Sequence, residues 1–513
     1  MGFFIKYLLS ILIFFPLASV ILLLFINKRK EGLLRNLATA LSLIEFIFSL
    51  YLFIYFKPNM YKFQFVEKFN WIGAFGASYF LGIDGVSLFL ILLTTLLTFV
   101  SLISSFRYIK DHVKEFFILM LILETFMVGT FASLDVLLFY LFWEFMLIPM
   151  YFIIGMWGTG RRVYSAVKFI LYTMAGSLIM LFGLIYIFML HYDQTGNFTF
   201  NILRLYNTHI PLDLQILLFI ALFLGFAIKI PLFPFHTWLP DAHTEAPTAG
   251  SVILAGVLLK FGVYGFFRFA MPLLPRATLI LAPIVIVIGV IGVLYGALVS
   301  MVQKDLKRLV AFSSVSHMGF IMLGLFAMSA ISIDGSILQL LNHGIATGAL
   351  FLFVGMLYER AHTRQIGDFG GIAKKAPVLT TLFMISVLAS IGLPGLNGFV
   401  GEFLILIGSF KHYMVLTIIA TSGIIFAAVY LLWMFQRVMF QGITSSKIES
   451  FEDMNLREII TVLPLILLMF FIGFYPMPFL ERIDPTVLHF IAMVGHRGYI
   501  HNLTKLKTGL SNA

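Results

Sequence analysis

The chain has 513 residues, of which 61% are hydrophobic and only 11% are charged. A soluble core cannot bury that much apolar surface, so the composition predicts an integral membrane protein embedded in a lipid bilayer. The formal net charge of +10 would suggest nucleic-acid binding in a soluble protein. Here the basic residues lie in alternate loops between apolar stretches, so nucleic acid is not expected as a partner.

Cysteine is absent from the sequence. That absence excludes a disulfide framework, a thiolate-bound iron–sulfur cluster and a cysteine nucleophile in this chain. The sequence also contains no Walker A loop, no dinucleotide fingerprint and no metal cluster with zinc spacing. We therefore expect no metal and no cofactor in the chain itself, and a driving reaction supplied by a partner or by another ion gradient.

Apolar stretches of roughly 20 residues, the length that a helix needs to cross a bilayer, recur along nearly the whole chain. They predict an all-α polytopic membrane protein with about fourteen transmembrane helices, two of them broken. In chain order we expect four regions: two helices and an outside loop (1–83), a third helix with a first repeat (84–272), a second, inverted repeat (273–440), and a last helix with a tail (441–513).

Two apolar segments contain helix-breaking residues. Pro231 and Pro234 interrupt the segment around 229–234, and Pro394 interrupts the segment around 391–398. Each proline removes a backbone donor and frees a carbonyl, so both helices should break within the membrane, where they must face protein or a wet cavity. A pair of breaks entering from opposite sides is typical of transporters built as inverted repeats, although proline and glycine are in general common in membrane helices.

Basic residues are concentrated in every second loop, and the positive-inside rule assigns those loops to the cytoplasm. Both termini are then expected outside, and the long basic loops favour a bacterial plasma (inner) membrane. The basic residues assigned to the cytoplasm are Lys28, Arg29, Lys30, Arg35, Arg107, Lys110, Lys114, Arg161, Arg162, Lys304, Lys307, Arg308, Arg360, Arg364, Lys374, Lys375, Arg437 and Lys447.

Four ionisable residues lie deep inside apolar segments. Glu144 is near the middle of its span, and Lys229 lies at the first break. Lys260 is surrounded by apolar residues, and Glu402 follows the second break by two helical turns. Charge at such depth costs about 2.5 to 3.5 kcal/mol per group even on lenient scales, so these residues are candidates for function. Structural ion pairs, or lysines that extend to the interface, are the alternative explanation.

Further candidates extend this set. His317 and His343 lie inside two other spans, where a packing role and a functional role are equally compatible with the sequence. Glu124 is also inside a span, and Lys168 lies one turn into its span, from where its ammonium can extend to the interface. Together with the four deep charges, these residues offer alternating groups that hold and release protons, which indicates a proton relay.

The distance between two of these charges is a candidate control element. An opposite charge close to an ammonium favours its protonated form. We therefore predict that Glu144 and Lys229 form a pair whose separation sets how readily the lysine keeps its proton.

Several motifs are long and specific. They are FWE at 142–144 with LIPM at 147–150, KIP at 229–231 with HTWLPDAH at 236–243, and EAPTAGS at 245–251. These motifs resemble those of the antiporter-like proton-channel subunits of NADH:quinone oxidoreductase, respiratory complex I, and the likeness extends from about residue 84 to residue 437. Sister subunits of that family usually carry lysine at the second break, so GFVGE at 398–402 resembles the M type, the counterpart of mitochondrial subunit 4.

The resemblance implies fourteen helices with two inverted five-helix repeats, covering the fourth to eighth and the ninth to thirteenth spans. It implies proton translocation coupled to NADH oxidation and quinone reduction, with flavin, iron–sulfur clusters and quinone in partner subunits. The implied partners are other membrane subunits, especially two further antiporter-like subunits, and a peripheral NADH-oxidising arm. In this chain, the resemblance implies that Glu144 and Lys229 form a modulating pair and that Lys260 is the central relay. It implies that His317 and His343 are linkers and that Glu402 is the terminal exchange group.

Three other functions are compatible with parts of the pattern. The homologous subunit of a multisubunit sodium/proton antiporter shares the broken helices and the lysine and glutamate pair, but Glu402 and the residues 238–251 argue against it. A solute carrier would need polar and aromatic groups beside the breaks, where this sequence has mainly Phe, Leu and Gly. A structural scaffold would not need so many buried charges.

Overall fold

The computed structural model describes residues 5–442 and 450–509, and for 498–509 it describes the backbone alone. The chain ends at 1–4 and 510–513 lie outside the described residues, and so does Lys447 of the predicted cytoplasmic set. The placement of both termini on the outer, non-cytoplasmic side of the membrane stays a prediction.

Helices make up most of the described chain, and 12 of them are long and apolar enough to cross a membrane. This confirms an all-α polytopic membrane protein, while the number of fourteen spans and the repeat organisation stay predictions. The main helices, in chain order, are α1 Leu8–Leu24, α2 Glu31–Tyr55, α3 Gly85–Tyr108, α4 Val113–Ala132, α5 Val136–Trp157, α6 Arg162–Thr195, α7 Leu212–Lys229, α8 Trp238–Glu245, α9 Thr248–Leu273, α10 Pro275–Met301, α11 Leu306–Phe326, α12 Ala330–Ala361, α13 Pro377–Ile391, α14 Asn397–Phe410, α15 Met414–Met439, α16 Leu456–Phe474 and α17 Met477–Gly509.

The chain leaves the helical conformation at both places where the prolines predict a break. Pro231 and Pro234 lie in the gap 230–237 between α7 and α8, and Pro394 lies in the gap 392–396 between α13 and α14. The indole nitrogen of Trp238, at the start of α8, donates to the carbonyl oxygen of Ile228 at 2.9 Å. This bond ties the second half of the first broken helix back to the end of α7.

A β-hairpin, which the sequence did not lead us to expect, follows α2. β1 (Gln64–Ile72) pairs antiparallel with β2 (Ala77–Ile83). Gly76 closes the turn with φ of +65°, and a Cβ atom there would collide with the carbonyl oxygen of Phe198. The alternation of apolar and polar residues in β1 is faint because most of this strand is exposed, so its sequence carried little strand signal.

The helices differ in what surrounds them. The apolar stretches of α9, α11 and α12 are completely buried by protein, and the apolar stretch of α3 is almost completely buried. In contrast, α2, α6 and α15 keep large apolar side chains on the surface, such as Ile47, Phe182 and Val415. Apolar surface on these outer helices suits hydrocarbon, so polar side chains on α9, α11 and α12 meet protein rather than lipid.

Aspartates fix the starts of several helices. Asp84 accepts from the backbone nitrogens of Val86 and Ser87 at the start of α3, and satisfying these donors stabilises the helix start. The second carboxylate oxygen of Asp84 pairs with the guanidinium of Arg268. This buried pair joins α3 to α9, the helix that carries Lys260.

Candidate functional site

Lys229 is the last residue of α7, at the first break. Its side chain is 1% exposed, and its Nζ atom has no hydrogen-bond partner among the described residues. The ammonium lies over the ring of Trp143, 5.3 Å from the centroid, and 5.9 Å from the ring centroid of Phe169. Aromatic faces attract a cation without supplying a counter-charge, so these two rings favour an ammonium at this position but do not neutralise it.

Glu144 lies on α5, next to Trp143, where the two helical segments of α5 meet. It interacts electrostatically with Lys229, but the two do not form a direct ion pair, since Nζ of Lys229 has no hydrogen-bond partner in the described chain. Oε2 of Glu144 is also buried without a partner there. The predicted pair therefore lies close enough to interact electrostatically but does not form a hydrogen-bonded ion pair. Trp143 is the chain neighbour of Glu144, and its indole ring contacts the Lys229 ammonium.

Lys260 lies at the centre of the bundle on α9, directly after the π-helical turn Leu254–Leu258. Such turns widen a helix locally and are frequent at functional sites. The Lys260 Nζ atom donates to the carbonyl oxygen of Ala255 at 2.5 Å and lies 2.7 Å from Nδ1 of His343 on α12. The lysine is thus held by one backbone acceptor and one imidazole, with no carboxylate among these contacts.

His317 on α11 is the next buried side chain after His343. The ring centroids of His317 and His343 are 5.6 Å apart, in an edge-to-face arrangement. Nδ1 of His317 is 3.3 Å from Oε1 of Glu402 on α14, and Nε2 of Gln339 lies 3.3 Å from the same carboxylate oxygen. The carboxylate at the second break therefore meets an imidazole and an amide, both from neighbouring buried helices.

The backbone of the second break is shaped around Glu402. Gly392 has φ of +84°, and a Cβ atom at this position would lie 2.6 Å from Oε2 of Glu402. Only glycine tolerates both the left-handed conformation and the close approach. Across the break, Nδ2 of Asn342 donates to the carbonyl oxygen of Asn397 at 2.7 Å, which fixes the start of α14 against α12.

Four buried side chains on four different helices form one line, which we call the buried file: Lys260, His343, His317 and Glu402. Nζ of Lys260 is 2.7 Å from Nδ1 of His343, the two imidazole centroids are 5.6 Å apart, and Nδ1 of His317 is 3.3 Å from Glu402. An imidazole can accept a proton on one nitrogen and release another from the second nitrogen, so the file has the groups that proton transfer requires. Lys229 and Glu144 lie apart from it.

Sequence reasoning missed His243 on α8. Its ring stacks on Phe351 of α12 with a centroid distance of 4.8 Å, and neither ring nitrogen has a partner among the described residues. It interacts electrostatically with Lys260 and with Lys307, whose Nζ donates to the carbonyl oxygen of Ala246. The residue stands in the motif at 236–243, but a histidine between polar neighbours gives no sign of burial until the fold is known.

Two predicted relay candidates lie away from the buried file. Lys168 on α6 forms an ion pair with Asp241 at 2.7 Å, at a partly exposed position. Glu124 on α4 is fully buried, but the carboxylate that it meets is Glu45 of α2, a residue that sequence reasoning did not single out. Within the described residues, there is no group of three His, Asp or Glu side chains that could hold a metal ion.

Comparisons with known proteins decide the family. A profile described as NADH:quinone oxidoreductase/Mrp antiporter, TM, matches residues 133–427. The chain belongs to this family of antiporter-like membrane subunits. It is 45% identical over 474 residues to NADH-quinone oxidoreductase subunit M of Rickettsia typhi, covering 91% of this chain and 95% of the relative.

Solved structures of antiporter-like subunits share the fold. A chain of respiratory complex I from Thermus thermophilus with bound NADH superposes with a TM-score of 0.86 at 31% identity, covering 95% of this chain and 99% of that one. A chain of the Mrp complex from Dietzia sp. DQ12-45-1b gives a TM-score of 0.80 at 19% identity, covering 96% and 99%. The second likeness shows the fold alone, so sequence identity favours the NADH:quinone oxidoreductase branch of the family.

Proposed function

We propose that this chain is a proton-translocating membrane-arm subunit of NADH:quinone oxidoreductase. NADH oxidation and quinone reduction in partner subunits would drive protons through its buried Glu, Lys and His side chains. The observation that carries the proposal is the buried file in a chain 45% identical to subunit M of Rickettsia typhi. Moving one proton against about 200 mV takes about 4.6 kcal/mol, and the cysteine-free chain carries no thiolate-bound centre to supply that energy.

The first step assigned to this chain is control of Lys229. The ammonium of Lys229 rests on Trp143 and interacts with Glu144 without touching it. Approach of Glu144 stabilises the charged lysine, and retreat leaves a bare ammonium in a low dielectric, which favours release of its proton. A movement of α5 against α7 would therefore switch proton release, and a partner subunit that moves α5 would couple the switch to redox chemistry.

The second step runs along the buried file. A proton on Lys260 passes to Nδ1 of His343, at 2.7 Å, and the ring releases its other proton from Nε2 towards His317. His317 in turn passes a proton to Glu402, 3.3 Å away. Each transfer breaks one N–H bond and forms one N–H or O–H bond. Both imidazoles end in the opposite tautomer, so the file returns to its starting state when Glu402 releases its proton to solvent, Lys260 is reprotonated and both rings turn over.

The repeat organisation is part of the proposal. In the five spans from α4 to α9, the fourth is the broken helix α7/α8 and carries Lys229. In the five spans from α10 to α15, the fourth is the broken helix α13/α14 and carries Glu402. A broken helix at the same position in both sets supports two inverted repeats, within the predicted regions 84–272 and 273–440.

The setting proposed for the chain is a bacterial plasma membrane, with both termini outside, as the alternating basic loops favour. Its proposed partners are two further antiporter-like subunits, other membrane subunits and a peripheral NADH-oxidising arm. Flavin, iron–sulfur clusters and quinone would reside in those partners.

Mild-detergent purification of the tagged chain from its native membrane tests the proposal. We expect co-purifying flavin, iron–sulfur signals by EPR and NADH:quinone reduction. Recovery of further membrane subunits without any redox centre would contradict the proposal and would favour a subunit of a multisubunit sodium/proton antiporter.

A further inference from the structure

Two carboxylates meet in the amino-terminal helices, away from the buried file. Glu45 of α2 and Glu124 of α4 are both 0% exposed, and their carboxyl groups lie within interaction distance of each other. Both lie near the middle of their helices, so each is deep in the apolar part of the chain. Nothing in the mechanism proposed above uses this pair.

The pair has no neutralising partner in the described chain. All four carboxylate oxygens lack a hydrogen-bond donor there. Thr98 of α3 is next to Glu124, but its hydroxyl donates to the carbonyl oxygen of Thr94 at 3.0 Å. Neither glutamate forms an ion pair with a described lysine, arginine or histidine.

The charged residues of the neighbouring helices do not supply a counter-charge for Glu45 and Glu124. Helix α1 has none, and those of α2, α3 and α4 lie towards the helix ends. Helices α5 and α9, which also pack against α4, contribute residues that belong to the sites described above. The residues in question are Glu31, Arg35, Arg107, Lys114, Glu115, Glu144, Lys260 and Arg268.

Hydroxyl side chains lie on the helix faces that carry the pair, which is a second and independent sign of a polar site: Ser42 and Ser49 lie one helical turn on either side of Glu45, and Thr98 lies next to Glu124. The hydroxyl groups of Ser49 and Thr95 bond to each other at 2.8 Å across α2 and α3. Those of Ser42 and Ser101 are fully buried and have no partner in the described chain. The polar residues of α2 follow one helix face: Ser42, Glu45 and Ser49. Those of α3 also follow one face: Thr94, Thr98, Ser101 and Ser105.

Two ionised carboxylates within interaction distance would repel each other in a medium that screens poorly. One proton placed between them gives a hydrogen bond from a carboxylic acid to a carboxylate. A second proton gives two reciprocal O–H···O bonds, in which each acid donates once and each carbonyl oxygen accepts once, so that the charge is removed as well.

We propose that Glu45 and Glu124 form a proton-binding site, holding at least one exchangeable proton between their carboxyl groups at neutral pH. The site is separate from the buried file. A sodium ion is the other occupant that two carboxylates could take, but sodium needs several converging oxygen ligands. The hydroxyl groups of Thr98, Ser49 and Thr95 already make bonds to the backbone or to each other, while those of Ser42 and Ser101 are unpartnered in the described chain, so the sodium content of the buffer is varied in the test.

Infrared difference spectroscopy of the whole purified complex tests this site, because a protonated carboxylic acid has a C=O band that an ionised carboxylate lacks. We compare wild type with Glu45→Gln, Glu124→Gln and the double variant, at neutral pH in H2O and in D2O. Glutamine keeps the shape of the side chain, and the two single variants keep the test valid if the double variant fails to assemble. The matched control is Glu115→Gln, which removes an exposed carboxylate from the same helix as Glu124.

The expected result is a protonated-acid band that shifts in D2O, changes in both single variants and disappears in the double variant. Glu115→Gln should lose only ionised-carboxylate intensity. Loss of ionised-carboxylate intensity alone from Glu45→Gln and Glu124→Gln would overturn the proposal. A protonated-acid band that appears only after sodium is removed from the buffer would also overturn it, since the pair would then be a sodium site.

Discussion

The Nζ atom of Lys260 lies 2.7 Å from Nδ1 of His343, and the carbonyl oxygen of Ala255 holds the same nitrogen at 2.5 Å. The lysine therefore donates to two neutral acceptors and meets no carboxylate at either contact. A lysine held in this way can lose its proton without breaking an ion pair. When the lysine is protonated it donates to Nδ1 of His343, and the proton of a neutral ring is then on Nε2, which is buried without a hydrogen-bond partner in the described chain.

His343 should be the most sensitive link of the file after Lys260. His343→Leu removes the acceptor of Lys260 and the only ring that contacts His317 in the file, so we expect NADH-driven proton pumping to fall roughly a hundredfold or more, within the range for loss of a positioned acid–base group. His343→Gln restores an acceptor but cannot shuttle a proton through a ring. It should therefore improve assembly relative to His343→Leu without restoring pumping.

Pumping by these two variants is measured in vesicles that contain the whole complex, with assembly checked by the yield of the intact complex. Full recovery of pumping in His343→Gln would show that the ring is needed for packing alone.

Lys229 should be required although it touches no acid. Lys229→Ala removes the ammonium over Trp143, and we expect proton pumping to be lost, because Glu144 then has no charge to control. Lys304→Ala is the matched control, since Lys304 is an exposed lysine before α11. NADH-driven pumping in vesicles distinguishes them, and full pumping by Lys229→Ala would remove the switch from the mechanism.

Gly392 should control the position of Glu402. Gly392→Ala places a methyl group against Oε2 of Glu402 in a backbone conformation with φ of +84°, which costs about 1 to 2 kcal/mol for a residue with a Cβ atom. We expect a displaced carboxylate and reduced pumping. Gly367→Ala is the control, because nothing lies within 4 Å of its added methyl group.

Both glycine variants are measured for pumping and for thermal unfolding. Equal pumping by Gly392→Ala and Gly367→Ala would mean that the second break adapts around Glu402 rather than holding it.

Glu67 on the hairpin should give the folded chain a dependence on pH. Its carboxylate accepts from the backbone nitrogens of Leu9 and Ser10 at 3.0 and 3.1 Å, at the start of α1. Burial raises the pKa of Glu67 above its ordinary value, although these hydrogen bonds lower it in part. The stability that this group contributes is therefore present below the unfolded-state pKa of about 4.3 and declines as the pH rises through the folded-state pKa.

The melting temperature of the purified complex, followed from acidic to neutral pH, checks this sign. Glu67→Gln should reduce the decline, whereas Glu481→Gln, at an exposed position, should leave it unchanged. An unchanged decline in Glu67→Gln would assign the pH dependence to other groups.

The sequence predicted the helix breaks and the buried charges, because each of these features follows from the type of one residue in an apolar run. Prolines in apolar runs located both breaks, and charged residues in apolar runs located Glu144, Lys229, Lys260 and Glu402. These inferences work because a free backbone group or a charge is costly in hydrocarbon wherever the rest of the chain lies.

The sequence could not predict which of these groups meet. Lys260 and His343 are 83 residues apart, and only the packing of α9 on α12 brings them together. Glu45 escaped notice because its apolar neighbours resemble any other span, although the helical spacing of Ser42, Glu45 and Ser49 is a usable signal. Lys168 was grouped with the relay residues, and its partner Asp241 became visible only when α6 and α8 were placed side by side.

Proton pumping by a Lys260→Met variant of the whole complex tests the central claim most directly. Methionine keeps the bulk and burial of the side chain and removes its proton, and Lys375→Met at an exposed position controls for loss of a lysine. We expect an assembled complex that retains flavin and iron–sulfur signals, with proton uptake per NADH oxidised clearly below that of wild type and of Lys375→Met. Wild-type proton uptake per NADH in Lys260→Met would contradict transport through the buried file.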